Sequence, residues 1–214
     1  MKTKSVVFDA YGTLFDVNSA AEKCKDKIGN EWINFSNFWR TTQLEYTWLR
    51  NIMRRHKDFW KVTEDSLEKS MKVFKIDMTM KKDLLNLYKV LSPYPEVEEV
   101  LKNLKNKNFK LAILSNGTPS LLNELVQSNN LNDLFDDLFS IEEVKIYKPD
   151  SKVYDLPVKK YKIKPDEVTF LSANTWDVSG GGNYGYNAVW VNRNKAIFDN
   201  LDFKTTFEVN NLTQ

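Results

Sequence analysis

The sequence predicts an α/β protein, a doubly wound parallel sheet with helices on both faces and a helical segment inserted after the first strand. Three observations carry this expectation. Short apolar runs recur along the chain, VVF at 6–8, KLAILSN at 110–116, EVTFLSAN at 167–174 and NAVWVNR at 187–193, each with the length and the β-branched or aromatic content of a buried strand. Amphipathic stretches with helical spacing lie between the later runs, and such alternation leads to right-handed crossovers and a Rossmann-like parallel sheet. From about residue 16 to residue 92 there is no strand pattern, only aromatic-rich sequence of helical period.

In VVFDAYGTLFD (6–16) the first apolar run ends at Asp9 and is broken by Gly12. A carboxylate at the carboxyl end of such a strand stands where open α/β sheets bind ligands; the alternative is an N-cap for the next segment. Within the helical segment Phe35, Phe38, Trp39, Tyr46, Leu49, Ile52 and Met53 follow spacings of three and four, most of the aromatics as core, and Thr63 and Thr79 are N-cap candidates for two later helices. His56, in RRHKDFW, reads as a solvated helix residue. An insertion at this point falls over the strand ends, where it can cover a site and exclude water. The expected division is a core of residues 1–15 and 93–214 and a cap of residues 16–92.

Further along, PEVEEVLKNLKNKN puts Val97, Val100, Leu101 and Leu104 at helical spacing, with Pro95 at the helix start. Thr118 and Pro119 read as N-cap and first helical residue. Pro157 should kink or shorten the helix that follows Lys148. Gly180, Gly181 and Gly182 each cost about 1 kcal/mol of helix propensity, which points to local mobility or close packing after Asp177.

Composition removes several classes of function. The 214 residues include 31 basic and 29 acidic ones for a net charge of +2, scattered without a basic face, so no nucleic-acid partner is expected. Cys24 is the single cysteine, which excludes an internal disulfide and suits a reduced cytoplasm. No apolar stretch approaches the roughly 20 residues of a membrane helix, and the N-terminus lacks a signal-peptide core. With His56 the sole histidine, no Ser-His-Asp triad can be built elsewhere in the chain, and any metal site depends on carboxylates.

On the expected sheet, one edge gathers Asp9 and Thr13, Ser115 and Asn116, Lys148, and Ser172, Asn174 and Asp177. The amides after Asn116, at the start of a helix, make an anion cradle or simply a turn. Lys148 is either an exposed residue or an ammonium that stabilises ionised Asp9. Two carboxylates with one ammonium can divide the roles of nucleophile and base.

The order FDAYGTLFD, LAILSNG, YKPD and SANTWD resembles the haloacid dehalogenase superfamily over residues 9 to 177. Most members of that superfamily are magnesium phosphatases with a second aspartate two residues after the nucleophile and a paired acid or Gly-Asp in the last motif. Here Tyr11 and SANTWD stand in those places, and with WRTTQLEYTWLR they resemble the (S)-2-haloacid dehalogenase branch. The resemblance implies a Rossmann-like core of the haloacid dehalogenase type, no metal or other cofactor, a small 2-haloacid substrate with halide as product, and a homodimer. It implies that Asp9 attacks the halogen-bearing carbon, that Arg40 takes the halide, and that Ser115 and Asn116 bind the substrate carboxylate. Tyr11, Leu44, Phe59 and Trp176 would line an apolar pocket, with ordinary core packing the alternative for Leu44 and Phe59. Asp177 would activate water with help from Lys148 and Asn174, and Thr13, Ser172 and Tyr154 complete the set. Two rivals are a magnesium-dependent phosphatase and a catalytically silent binding protein on the same scaffold.

Overall fold

A computed structural model describes residues 3–203 and 205–214. Its centre is β1 (Ser5–Phe8), four buried residues flanked on either side by β2 (Lys110–Ser115) and β4 (Val168–Ser172). With β3 (Asp137–Ser140), β5 (Asn187–Val191) and β6 (Phe207–Val209), the six described strands form one parallel sheet in the order β3-β2-β1-β4-β5-β6. Strands wind outward in both directions from β1, so the crevice beside its carboxyl end is the topological switch point of the sheet. Register places Phe8 opposite both Ile113 and Leu171, which delivers Asp9 to the same edge as Ser115 and Ser172.

Helices α6 (Val97–Asn106), α7 (Pro119–Ser128), α8 (Ser151–Tyr161) and α9 (Thr175–Tyr184) alternate with the strands. Thr118 caps α7 by accepting from the Leu121 amide, with Pro119 at its first position. The start of α6 falls two residues beyond Pro95, at Val97. Strands β3 and β6 had no sequence expectation, because DLFS and FEV are short and carry no continuous apolar run.

Between β1 and β2 the described segment is helical: α1 (Ser19–Glu22), α2 (Lys25–Ile28), α3 (Trp32–Ile52), α4 (Phe59–Phe74) and α5 (Lys81–Lys89). The chain leaves and rejoins the sheet region side by side, through a bridge between Phe15 and Pro93 and a hydrogen bond from the Asp16 amide to the Ser92 carbonyl (2.8 Å). Helices α3 and α4 are fastened by Arg50 to Asp65 (3.1 Å) and by Trp39 Nε1 to the Thr63 carbonyl (3.2 Å).

Three expectations need correction. The N-caps are Asp58 and Asp77; Thr63 lies inside α4, where its hydroxyl bonds the Phe59 carbonyl, and Thr79 is in the short turn before α5. His56 is in the α3–α4 loop, half-buried and paired with Glu142 at 3.1 Å. As expected, the aromatics Phe35 and Trp39 are core; Leu49, Ile52 and Met53, for which no burial was expected, form an exposed apolar end of α3. Helix α8 runs through Pro157, whose buried ring offsets the backbone hydrogen bond it cannot make. The three glycines of α9 answer to close packing: a methyl on Gly180 would stand 2.5 Å from the Tyr154 hydroxyl and 2.7 Å from Pro149 Cβ, and one on Gly181 2.8 Å from Phe170. Among the described residues no helix is long and apolar enough to cross a membrane.

Gly180→Ala therefore tests the packing of α9 on α8. Overpacking of about 1–3 kcal/mol should exceed the gain of about 1 kcal/mol in helix propensity, and the urea midpoint should fall. An unchanged or raised midpoint would contradict this packing.

Candidate active site

Residues at the carboxyl edge of the sheet meet where β1 and β4 diverge. Asp9, buried at the end of β1, donates its amide to the Leu171 carbonyl (2.9 Å), and this backbone bond fixes the carboxylate's direction. Its Oδ2 accepts from Thr13 Oγ1 (3.1 Å) and Asn174 Nδ2 (2.9 Å) and its Oδ1 from Lys148 Nζ (3.2 Å). Gly12, at φ +88°, turns the chain so that Thr13 reaches back to Asp9. Thr13 Oγ1 also accepts from the Ala173 amide (2.8 Å), tying the β1 and β4 loops together.

Lys148, with no exposed surface, places its ammonium between Asp9 and Asp177, 2.9 Å from Asp177 Oδ2. Asp177, in the first turn of α9, accepts from the Tyr154 hydroxyl through Oδ1 (2.7 Å). Burial raises the Asp177 pKa above the usual carboxylate range, with a smaller push from Asp9, against the lowering pull of Lys148 and Tyr154. Burial first, and Asp177 second, hold the Tyr154 phenol well above its ordinary pKa, so it donates a proton it keeps.

The two carboxylates do not fit a divalent cation. An ammonium occupies the space between them, Tyr11 stands two residues after Asp9, and among the described residues no group of three or more His, Cys, Asp or Glu side chains converges to hold one.

Arg40 comes from α3. Its Nη1 bonds Gln43 Oε1 (2.8 Å), its Nη2 reaches the Tyr11 carbonyl (3.4 Å), and its guanidinium lies 6.0 Å from the centre of the Tyr11 ring. Asn174 Nδ2 approaches the same Tyr11 carbonyl (3.4 Å), which brings Arg40 and Asn174 together beside Asp9. The Tyr11 ring stacks on Tyr88 (5.6 Å) and tilts against Phe59 (5.3 Å), and burial keeps its phenol neutral. Trp176 meets Trp48 edge to face, and Leu44 is half-buried one turn beyond Arg40. A cavity of about 420 Å³ lies on the Arg40 side, bordered by Tyr11, Arg40, Asn174, Trp176 and Arg193; Asp9, Leu44, Phe59, Ser115 and Asn116 do not line it.

Three expected residues bond within the loops at this edge. Ser172 Oγ accepts the Asn174 amide (3.1 Å), and Ser115 Oγ accepts the Gly117 amide (3.1 Å). Asn116 Oδ1 accepts the Lys148 amide (3.1 Å). The free amides expected after Asn116 are thus partly spent within the loop and at the α7 cap.

Sequence reasoning missed the support of Arg40. Gln43 passes its amide hydrogens to Thr63 Oγ1 (2.7 Å) and Tyr88 (3.0 Å), while Arg193 bonds the Thr13 carbonyl (2.8 Å) and Glu96 (2.6 Å). Gln43 carries a usable signal, since a residue three after Arg40 on a helix faces it; Tyr88 carries none.

Removal of the Tyr154 hydroxyl should raise the Asp177 pKa further, because a donor to the ionised form is lost. A carboxyl carbon NMR titration of Tyr154→Phe checks this, and an unchanged or lowered value would contradict it.

Residues 3–185 match the family of haloacid dehalogenase-like hydrolases. The chain is 38% identical over 213 residues to an (S)-2-haloacid dehalogenase of Pseudomonas fluorescens, covering 99% of this chain and 94% of the relative. It is 41% identical over 192 residues to (S)-2-haloacid dehalogenase 1 of Pseudomonas sp. (strain CBS-3), covering 89% and 85%. Among solved structures it is similar to the L-2-haloacid dehalogenase from Xanthobacter autotrophicus with chloropropionic acid covalently bound, with a TM-score of 0.89, 32% identity, and coverage of 98% of this chain and 95% of that one.

Proposed function

We propose that this chain, which belongs to the haloacid dehalogenase-like hydrolase family, hydrolyses short (S)-2-haloalkanoic acids to (R)-2-hydroxy acids through an ester on Asp9. The observation that carries the reading is the buried Asp9 carboxylate, paired with the Lys148 ammonium and neighboured by Asn174, which shares the Tyr11 carbonyl with the Arg40 guanidinium. Its relatives at 38% and 41% identity carry the same activity in their names.

Asp9 Oδ2 already accepts two hydrogen bonds and Oδ1 only one, so Oδ1 keeps the lone pair that attacks C2. The new C–O bond forms as the C–halogen bond breaks, with inversion, and the halide departs with its electron pair toward Arg40. A guanidinium aimed at charge that grows during the step lowers the barrier more than it strengthens ground-state binding. Asn116 and the Ser115 loop take the substrate carboxylate, while Tyr11, Leu44, Phe59 and Trp176 enclose C2 and its substituent. Asp177 then removes a proton from water, which attacks the ester carbonyl of Asp9. The acyl–oxygen bond then breaks, and the C2 oxygen leaves with the 2-hydroxy acid, taking the proton that Asp177 removed from water, while Lys148 and Asn174 steady the charge that passes through Asp9. Thr13 aims the Asp9 carboxylate, Ser172 holds Asn174 in place, and Tyr154 holds Asp177.

In this reading residues 16–92 act as a cap over a core of residues 1–15 and 93–214, which supports exclusion of water during attack. The exposed Leu49, Ile52 and Met53 support a homodimer, and the single cysteine supports a cytoplasmic setting.

Halide release from the two enantiomers of 2-chloropropionate tests the function. The (S) acid should be turned over and the (R) acid not, a chelator should leave the rate unchanged, and Asp9→Asn should lower it by about 10⁴-fold or more. Turnover of phosphate esters without halide release, restored by magnesium after chelation, would contradict the proposal.

A further inference from the structure

Lys148 belongs to no helix or strand: it lies between a turn at Ile141–Glu143 and the start of α8. No sheet ladder places it, so its backbone depends on local and side-chain hydrogen bonds. Besides the Asn116 bond to the Lys148 amide and a 3.3 Å bond from the Asp150 amide to the Tyr147 carbonyl, the described groups that hold it come from α3, α4 and the loop between them. Asn51, in the last turn of α3, grips Tyr147 from both sides, its Oδ1 accepting the Tyr147 amide (3.0 Å) and its Nδ2 donating to the Tyr147 carbonyl (2.9 Å). The Tyr147 hydroxyl donates to the Lys57 carbonyl (2.6 Å), and its fully buried ring packs against His56 (5.5 Å) and Phe59 (6.4 Å).

The two-bond grip resembles one rung of a β-ladder supplied by a primary amide, and it fixes the peptide units on both sides of Tyr147. Arg40 stands on the same helix about three turns earlier, roughly 16 Å along the axis. We infer that Asn51 is a positioning residue that seats the Lys148 segment, so that docking of α3 delivers both the Arg40 guanidinium and the Lys148 ammonium to the Asp9 carboxylate. An undocked α3 leaves Arg40 withdrawn and the lysine segment without its grip. Closure and assembly of the charged cluster are then one event.

The effect on turnover rests on the dehalogenase reading above; the seat itself does not, and the two are measured separately. Asn51→Ala removes both bonds at a helix end where alanine is well tolerated. Its kcat for halide release should fall about tenfold with KM within about twofold. In a Lys148→Ala background the same change should cost less than about twofold, because a residue that acts through the lysine has nothing left to position. Amide hydrogen exchange at Tyr147 and Lys148, measured without substrate, should quicken at least about tenfold. Asn51→Asp, which keeps the acceptor for the Tyr147 amide, should retain slow exchange there. A kcat within about twofold of the unaltered protein, equal losses in both backgrounds, or unchanged exchange in Asn51→Ala would each overturn the assignment. If the unaltered protein releases no halide, the dehalogenase reading fails and the exchange results alone decide the seat.

Discussion

An ammonium with no exposed surface has several kcal/mol of hydration to replace, and among the described residues Asp9, Asp177 and the face of Phe170 replace it for Lys148. Much of the architecture follows from that requirement. Asp9 must come from the middle strand and Asp177 from the helix after the neighbouring one, which the parallel order around β1 supplies. One lysine between two carboxylates leaves a surplus negative charge, spread over donors from Thr13, Asn174 and Tyr154. Loss of Lys148 would strand two carboxylates in the interior at about 3–5 kcal/mol, whereas loss of either carboxylate leaves the lysine paired with the other, so the cluster constrains folding chiefly through its ammonium.

On the proposed roles of its residues, the same cluster suits a carbon–halogen bond. A carboxylate with little water around it and one free lone pair is a far better nucleophile than in bulk solvent. The fixed ammonium balances its charge without the geometric demands of a divalent ion. A halide leaves as a stable anion and needs no acid to protonate it, so Tyr11 can stand where a proton donor would otherwise be required and serve as pocket wall. Arg40 must nevertheless be held still, and Gln43, with Thr63 and Tyr88 behind it, does so from within the helical segment.

Much of this is legible in the sequence, for identifiable reasons. Asp9, Asn174 and Asp177 each follow closely on an apolar run, so reading the strands locates the site. Lys148 is marked by the Lys-Pro-Asp that opens α8. Thr63 misleads because a hydroxyl that bonds to its own helix and a hydroxyl that caps one look alike in sequence. Tyr88 and Asn51 escape because their partners lie far away in the chain, up to 96 residues for Asn51, and only tertiary packing pairs them, whereas Gln43 is signalled only by its place one turn after Arg40. The glycines of α9 look like a weak helix until Tyr154, Phe170 and Phe203 are seen pressed against them.

Whether Asp9 is the nucleophile is read most directly by a single turnover of (S)-2-chloropropionate in heavy-oxygen water with enzyme in excess. If Asp9 forms an ester, the first 2-hydroxy acid takes its new oxygen from the Asp9 carboxylate and is unlabelled, and mass spectrometry finds heavy oxygen in the peptide that contains Asp9. A labelled first product with an unlabelled Asp9 peptide would mean that water attacks C2 directly and would contradict nucleophilic catalysis by Asp9.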